Sequence, residues 1–324
     1  MTQAIRIHQT GGPDVLSWET VPLPAPAAGE VQVRHHAVGL NFIDTYHRTG
    51  LYPLPLPAGI GLEGSGVVEA VGAEVRDFKP GDRVAYAGGP PGAYAECRNL
   101  PAHRVLHLPD AIDFETGAAM MLQGLTAAYL LHRTYRVQAG DTVLIHAAAG
   151  GVGLIACQWA KALGATVIGT VGSEAKAVIA RAHGCDHVID YSCEDFVGRV
   201  RALTGGEGVP VVYDGVGRAT FDGSLDCLRP LGMMVSYGNA SGTVPPFDLL
   251  ELSRRGGLFL TRPTLANYTA KRDDLVALGQ ALMDVVASGA VRVEVHQRYA
   301  LRDAAQAHRD LEARRTTAST ILLP

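Results

Sequence analysis

With 324 residues and a formal net charge of −4, the chain is long enough for about two domains, and the lack of any basic block argues against nucleic acid as its primary partner. No apolar run approaches the roughly 20 residues that span a bilayer, and the opening MTQAIRIHQTGG lacks the h-region of a signal peptide, so a cytoplasmic protein without membrane attachment is expected. Five cysteines, Cys97, Cys157, Cys185, Cys193 and Cys227, stand apart without CxxC spacing, which suits a reducing compartment and neither a disulfide framework nor a clustered metal site.

From residue 4 to about 108 the pattern is of short strands punctuated by Gly and Pro. Residues 31–38 read as a strand, and GSGVVEAVGAEV, GDRV (81–84) and AYAEC (93–97) as further strands and turns of a compact β-rich domain. Helical character begins near Phe114, and residues 117–131 read as a long helix leading out of it. Residues 142–146 then form a short apolar, β-branched run of the kind that makes a buried parallel strand. Small residues follow, and Gly150, Gly151 and Gly153 open a helix whose apolar positions Val152, Ile155, Ala156, Trp159, Ala160 and Leu163 are expected on one face. Read as Ala148-x-Gly150-x-x-Gly153, this is the dinucleotide fingerprint with alanine for its first glycine. The backbone turns sharply there, and a pyrophosphate is expected on the N–H groups at the helix N-terminus.

The alternation continues. Strands are expected at 166–171, 187–189, 211–214 and 233–237, with helices at 174–183 and 195–203 between the first three. Beyond 258–262 follow a helix at 271–287, a strand at 291–295, a helix at 303–312 and a last strand at 320–323. Strands alternating with helices imply a parallel sheet that binds ligands beyond its carboxyl ends. The site candidates are therefore residues 148–152, Gly172, Ser173, Tyr191, residues 215–217, Tyr237 and Gly238. The fold class is α/β, a doubly wound parallel sheet beside a β-rich domain.

The whole chain resembles the medium-chain dehydrogenase/reductase superfamily, and within it the zinc-independent quinone oxidoreductases related to zeta-crystallin. The match is carried by NFIDTY (41–46), GLEGSGVVEAVG (61–72), GDRV (81–84), HAAAGGVG (146–153), YDGVG (213–217), Tyr237-Gly238 and Thr261-Arg262-Pro263. The resemblance implies a GroES-like domain over 1–122, a Rossmann domain over 123–262, a return to the first domain over 263–324, an active site between the domains and a homodimer. Zinc-dependent relatives hold their catalytic metal with a cysteine near position 41 and a Gly-His-Glu motif. Here that motif reads Gly61-Leu62-Glu63, and residues 86–106 contain Cys97 alone of the four cysteines a structural zinc lobe needs. No metal is expected. The twelve histidines do not restore a site, because the adjacent His35 and His36 on a strand face opposite ways.

NAD-specific Rossmann domains place a carboxylate about 20 residues past the fingerprint. The second strand ends here in Val171-Gly172-Ser173, without a carboxylate, while Ser173 and Lys176 offer a hydroxyl and a cation to a 2′-phosphate. Glu174 is assigned to the helix dipole instead. By resemblance Tyr191 and Arg314 join Lys176, and NADPH is the expected cofactor; Arg315 reads as a solvated helix end. The resemblance further places Gly150, Gly151, Val152, Gly153, Gly172, Ser173 and Val216 along the cofactor, with Asn41, Thr126, Tyr237, Gly238, Pro263, Thr264 and Leu265 at the nicotinamide end. Tyr46 and Tyr52 are candidates beside the acceptor and Asn41 a neutral hydrogen-bond donor, the three forming the candidate catalytic set. For Tyr52 a packing role in a surface loop stands equally, and for Asp44 either a general acid or a satisfied structural carboxylate. The expected activity is hydride transfer from NADPH to a quinone without metal. The alternatives are reduction of an enoyl or alkenal double bond, and a non-catalytic, crystallin-like NADPH-binding protein.

Overall fold

The computed structural model describes residues 1–324, which form two units. The first comprises Met1–Leu125, Tyr268–Ser288 and Val293–Pro324; the second comprises Thr126–Asn267 and Gly289–Arg292.

The first unit begins with β1 (Thr2–Ile7), β2 (Ser17–Val21), β3 (Glu30–Leu40), α1 (Phe42–Thr49), β4 (Ala58–Gly59), β5 (Glu63–Val71), β6 (Arg83–Ala87), β7 (Cys97–Pro101), β8 (Val105–His107) and α2 (Phe114–Tyr129), the last running into a π-helical turn at Leu130–Thr134. Strand β3 alternates a buried Val31, Val33 and His35 with an exposed Arg34 and His36, as period-two patterning requires. It pairs antiparallel with both β5 and β7. The segment 93–97, expected as a strand, is irregular until Cys97. Its backbone bonds are made singly, Ile5 N–H to Tyr94 O (2.8 Å), Tyr94 N–H to Ile60 O (2.9 Å) and Glu96 N–H to Gln3 O (3.0 Å), and the regular ladder runs from Cys97 to Pro101 instead.

The second unit carries β9 (Thr142–Ile145), α3 (Gly151–Ala162), β10 (Thr166–Val171), α4 (Glu174–Ala182), β11 (His187–Asp190), α5 (Phe196–Leu203), β12 (Val209–Asp214), α6 (Phe221–Asp226), β13 (Leu228–Ser236), α7 (Leu250–Arg254), β14 (Phe259–Thr261) and α8 (Leu265–Tyr268). Its six strands are all parallel in the order β11-β10-β9-β12-β13-β14, so the chain reverses its direction of winding beside β9. Such a switch point opens a crevice at the carboxyl edge. Helix α3 departs from the expected one-sided pattern, since residues 153–160 are all buried, Cys157 and Gln158 included. A helix apolar all round is covered on all sides.

The chain then returns to the first unit through α9 (Arg272–Ala287), β15 (Val295–Ala300), α10 (Ala304–Glu312) and β16 (Ser319–Leu323). The last strand completes the larger first-unit sheet against β3. The strand expected at 291–295 begins only at Val295. Before it, the side-chain amide of Gln158 on α3 takes up the backbone of Arg292, donating to its carbonyl (3.0 Å) and accepting from its N–H (2.9 Å). That backbone is therefore committed to the second unit rather than to a ladder.

Candidate active site

In the second unit the candidates stand on the loops that leave the carboxyl ends of parallel strands. Gly150 is the N-cap of α3 and supplies no capping side chain, so the N–H groups of Gly151, Val152 and Gly153 face outward without an intrahelical partner. Close packing enforces the glycines. A Cβ on Gly153 would lie 2.3 Å from Ala147 O, and one on Gly169 of β10 would lie 2.7 Å from Ala148 Cβ. Ala147 itself takes a left-handed φ of 53°, a conformation that costs an L-residue about 1–2 kcal/mol. The concave, N–H-lined turn suits a pyrophosphate.

One strand along, Gly172 is exposed, and a Cβ there would come within 3.1 Å of Tyr191 Oη. Ser173 caps α4, its hydroxyl accepting from Lys176 N–H (3.4 Å), and Lys176 is partly exposed in the first turn of that helix. Glu174 is exposed and pairs with Arg181 (2.8 Å). The tip of β10 thus carries a hydroxyl, a phenol and an ammonium and no carboxylate, the donor set for an added phosphate. Arg314 is exposed in the first unit, with a left-handed φ of 58° just past α10. Arg315 is an ion-pair partner of Asp310, whose carboxyl is held down to about 2 by the Tyr299 hydroxyl and then by Arg315.

On the other side of β9, a buried network that the motifs alone did not reveal ties the strand ends together. Asp214, fully buried at the end of β12, accepts at Oδ1 from Val216 N–H (2.7 Å) and Gly217 N–H (3.0 Å), and at Oδ2 from the hydroxyls of Thr220 (2.8 Å) and Ser224 (3.1 Å). His146, just past β9, reaches Ser224 Oγ with Nε2 (2.9 Å) and Thr170 Oγ1 on β10 with Nδ1 (2.7 Å). Burial lowers the His146 pKa, opposed by the nearby Asp214. The turns after β9 and β12 and Thr170 within β10 therefore form one hydrogen-bonded body. Tyr237 after β13 packs so closely on Gly215 that a Cβ there would lie 2.9 Å from its ring, and Gly238 sits as tightly on Gly215 O. Pro263 is buried, Thr264 is exposed and Leu265 starts α8, all beyond β14. Thr126 is buried on α2.

In the first unit Asn41 is the N-cap of α1, and its backbone N–H donates to Asp44 Oδ2 (2.9 Å). Its side chain lies between two others. Nδ2 donates to Glu63 Oε2 (2.5 Å) and Oδ1 accepts from Gln123 Nε2 (3.2 Å). Tyr46 on α1 and Tyr52 in the following loop are both partly exposed, with ring centroids 5.3 Å apart in an edge-on contact. Asp44 is fully buried: Tyr94 Oη donates to Oδ2 (2.9 Å), while Oδ1 has no partner. Burial pushes its pKa up to about 7 and that of Glu63 to about 8. Behind Tyr94 stand His308 (3.1 Å) and, on the far ring nitrogen, Arg48 (2.9 Å), whose guanidinium also donates to Glu312 (2.6 Å). Glu63, Gln123 and Ser319 were absent from the candidates drawn from sequence. The one signal for them was a glutamate retained in GLEG without the histidine of the metal-binding motif. No three His, Cys, Asp or Glu side chains gather as a metal site.

A parallel sheet with a glycine turn at its switch point, joined to a largely antiparallel β unit, defines a dehydrogenase or reductase of the medium-chain superfamily. Residues 27–110 match the alcohol dehydrogenase GroES-like domain and residues 151–269 the zinc-binding dehydrogenase model. The chain is 54% identical to the quinone oxidoreductase of Pseudomonas aeruginosa, with 100% of each covered. It is 47% identical to the 2-haloacrylate reductase of a Burkholderia species, over 100% of this chain and 99% of the other. Among solved structures, the Escherichia coli quinone oxidoreductase complexed with NADPH superimposes with a TM-score of 0.98 at 49% identity, covering 99% of this chain and 100% of that one. The chain belongs to the quinone oxidoreductase family of the medium-chain dehydrogenase/reductase superfamily.

Proposed function

We propose that this protein is an NADPH-dependent quinone reductase. The observation that carries the reading is the tip of β10, where an exposed Gly172 lies against Tyr191, and Ser173 and Lys176 stand at the start of α4, with no carboxylate among them. The α3 N-terminus, Gly150 to Gly153, takes the pyrophosphate, and Lys176, Ser173, Tyr191 and Arg314 take the 2′-phosphate. Val216, Tyr237, Gly238, Thr126, Asn41 and the segment Pro263, Thr264 and Leu265 hold the nicotinamide end, and Asn41, Tyr46 and Tyr52 face the acceptor. Bound NADPH supplies the hydride. The chain's own residues orient the reactants and exclude water, and a quinone, being strongly electrophilic, needs no strong acid from them.

The similarity to a 2-haloacrylate reductase supports a second reading, hydride delivery to an activated double bond. Turnover of a panel of quinones and 2-haloacrylates, followed by NADPH absorbance, separates the two. Faster turnover of quinones supports the first reading, and turnover of haloacrylates alone overturns it. We further propose a cytoplasmic homodimer. Strand β14 is an edge of its sheet, with Phe259 56% and Leu260 36% exposed and Leu231 and Leu249 each 71% exposed, and an apolar edge of this kind is ordinarily covered. A single species of 34.2 kDa in sedimentation at micromolar concentration contradicts it.

A further inference from the structure

The amide of Asn41 is the middle link of a buried chain of four side chains. Ser319 Oγ on β16 donates to Gln123 Oε1 (2.8 Å), Gln123 Nε2 to Asn41 Oδ1 (3.2 Å), and Asn41 Nδ2 to Glu63 Oε2 (2.5 Å). All four residues are buried. The far oxygen, Glu63 Oε1, is fixed as an acceptor by Leu122 N–H (2.9 Å), a backbone donor that cannot reverse. Every other link can. Asn and Gln amides present a donor or an acceptor by turning over, and a hydroxyl does so by rotating. The outer end has somewhere to go, because Ser319 Oγ also lies 3.3 Å from Ala119 O. Turned over, the chain reads Glu63 Oε2–H to Asn41 Oδ1, Asn41 Nδ2 to Gln123 Oε1, Gln123 Nε2 to Ser319 Oγ, and Ser319 O–H to Ala119 O. Both arrangements leave no buried group of the chain unsatisfied, and they differ only in whether Glu63 Oε2 carries a proton.

We propose that Glu63 is the positioning residue of this site, its charge state choosing between two fully bonded orientations of the Asn41 amide and so which of its edges, N–H or carbonyl, is offered beyond the network. The inference rests on the reading above that Asn41 meets the nicotinamide end or the acceptor. Its geometry has a consequence for pH. The titratable groups around Glu63 are Asp44 from α1, Tyr86 from β6 and Tyr94 ahead of β7, none of them cationic, with N–H groups of Leu122 and Met121 donated from α2. Burial and the neighbouring Asp44 raise Glu63 to about 8, against the bonds from Leu122, Asn41 and Met121, so the reversal falls within the range in which the enzyme can be assayed. Asp44 accepts from the Asn41 backbone rather than its amide, so its charge acts on the orientation only through Glu63, whose proton it helps to hold.

Glu63→Gln gives the test. Its oxygen must keep Leu122 N–H, so its NH2 faces Asn41 and holds the reversed orientation at every pH, without a charge and without loss of volume. NADPH binding is measured by fluorescence titration at pH 6.5 and 9.5 for the wild type, Glu63→Gln and Asn41→Ala. The wild-type Kd is expected to change by about three- to tenfold between the two pH values, the worth of one neutral hydrogen bond. Glu63→Gln is expected to keep the wild-type acid-limb value at both. An unchanged pH step in Glu63→Gln, or no step in a wild type that Asn41→Ala weakens, overturns the inference. No effect of Asn41→Ala overturns instead the placing of Asn41 at the cofactor. The orientation itself is read without any variant by following the side-chain amide resonances of Asn41 and Gln123 with pH. A common midpoint near 8 supports the reversal, and unmoved or unlinked resonances refute it.

Discussion

The two buried polar networks, one in each unit, solve the same problem in opposite ways. Asp214 is met by four donors, two of them backbone N–H groups of the loop it shapes, so it acts as a fixed staple for the turn beyond β12, which Ser224 links through His146 to Thr170 of β10. Asp44 and Glu63 are buried as deeply, yet Asp44 leaves one oxygen without a partner and Glu63 faces an amide able to turn over. The cost appears in their pKa values, raised to about 7 and about 8 by burial. The Asp214 carboxylate is saturated with donors, whereas at Asp44 and Glu63 burial outweighs the donors present.

Removing the staple has the largest expected effect. Asp214→Ala strands four buried donors, and breaking a buried network of this kind costs about 3–5 kcal/mol; urea unfolding is expected to show it, with NADPH binding lost in whatever protein remains folded. A loss under about 1 kcal/mol would mean that water replaces the carboxylate and that the network is no staple. Next is Gly153→Ala, whose Cβ has only 2.3 Å to Ala147 O. Overpacking costs about 1–3 kcal/mol, and the displaced turn is expected to weaken NADPH far more than it lowers the melting temperature. Equal binding by the variant would show that the turn gives way without harm.

A third effect is one of pH and concerns the first unit. Glu63 ionises at about 8 when folded against 4.5 for the free side chain. The native state therefore holds a proton that the unfolded chain releases, and its stability falls as pH rises between those values, then levels off. His35 and His308, lowered by burial to about 4 and about 3, oppose this only up to 6.5. Between pH 6.5 and 8 the decline belongs to Glu63, with Asp44 adding to its lower part. A melting temperature that falls over this range in the wild type and stays nearly level in Glu63→Gln is expected; parallel slopes would remove Glu63 from the account.

Much of this was legible in the sequence where local and tertiary signals agree. Residues 166–171 are β-branched but for Gly169, and β10 occupies that span; the glycine turn before α3 is equally local. What escaped depended on distant partners. Strand β15 started four residues later than the apolar alternation of Val291, Val293 and Val295 suggested, because Gln158, far away in sequence, claims the backbone of Arg292. Helix α6 is only Phe221–Asp226, with a glycine inside it, too short for a period to show. The apolar runs at 233–237 and 258–260 are alike in composition, yet β13 lies inside the sheet and β14 is one of its two edges. In the site, Asn41 and the glycines were visible from their motifs. Glu63, Gln123 and Ser319 come from β5, α2 and β16, elements distant in sequence, and no local pattern encodes their meeting.

A tip of β10 built for a 2′-phosphate would appear in the ratio of kcat/KM for NADPH over NADH. A hydrogen bond to a charged group contributes about 1.5–3 kcal/mol, so two such contacts, from Lys176 and Arg314, discounted for exposure, predict a preference of about a hundredfold. Lys176→Ala is expected to lower the ratio by weakening NADPH while leaving NADH nearly unchanged, and Ser173→Asp to lower it further by repelling the phosphate. A wild type that uses both cofactors equally well, or a Lys176→Ala variant that loses both in parallel, would contradict the account.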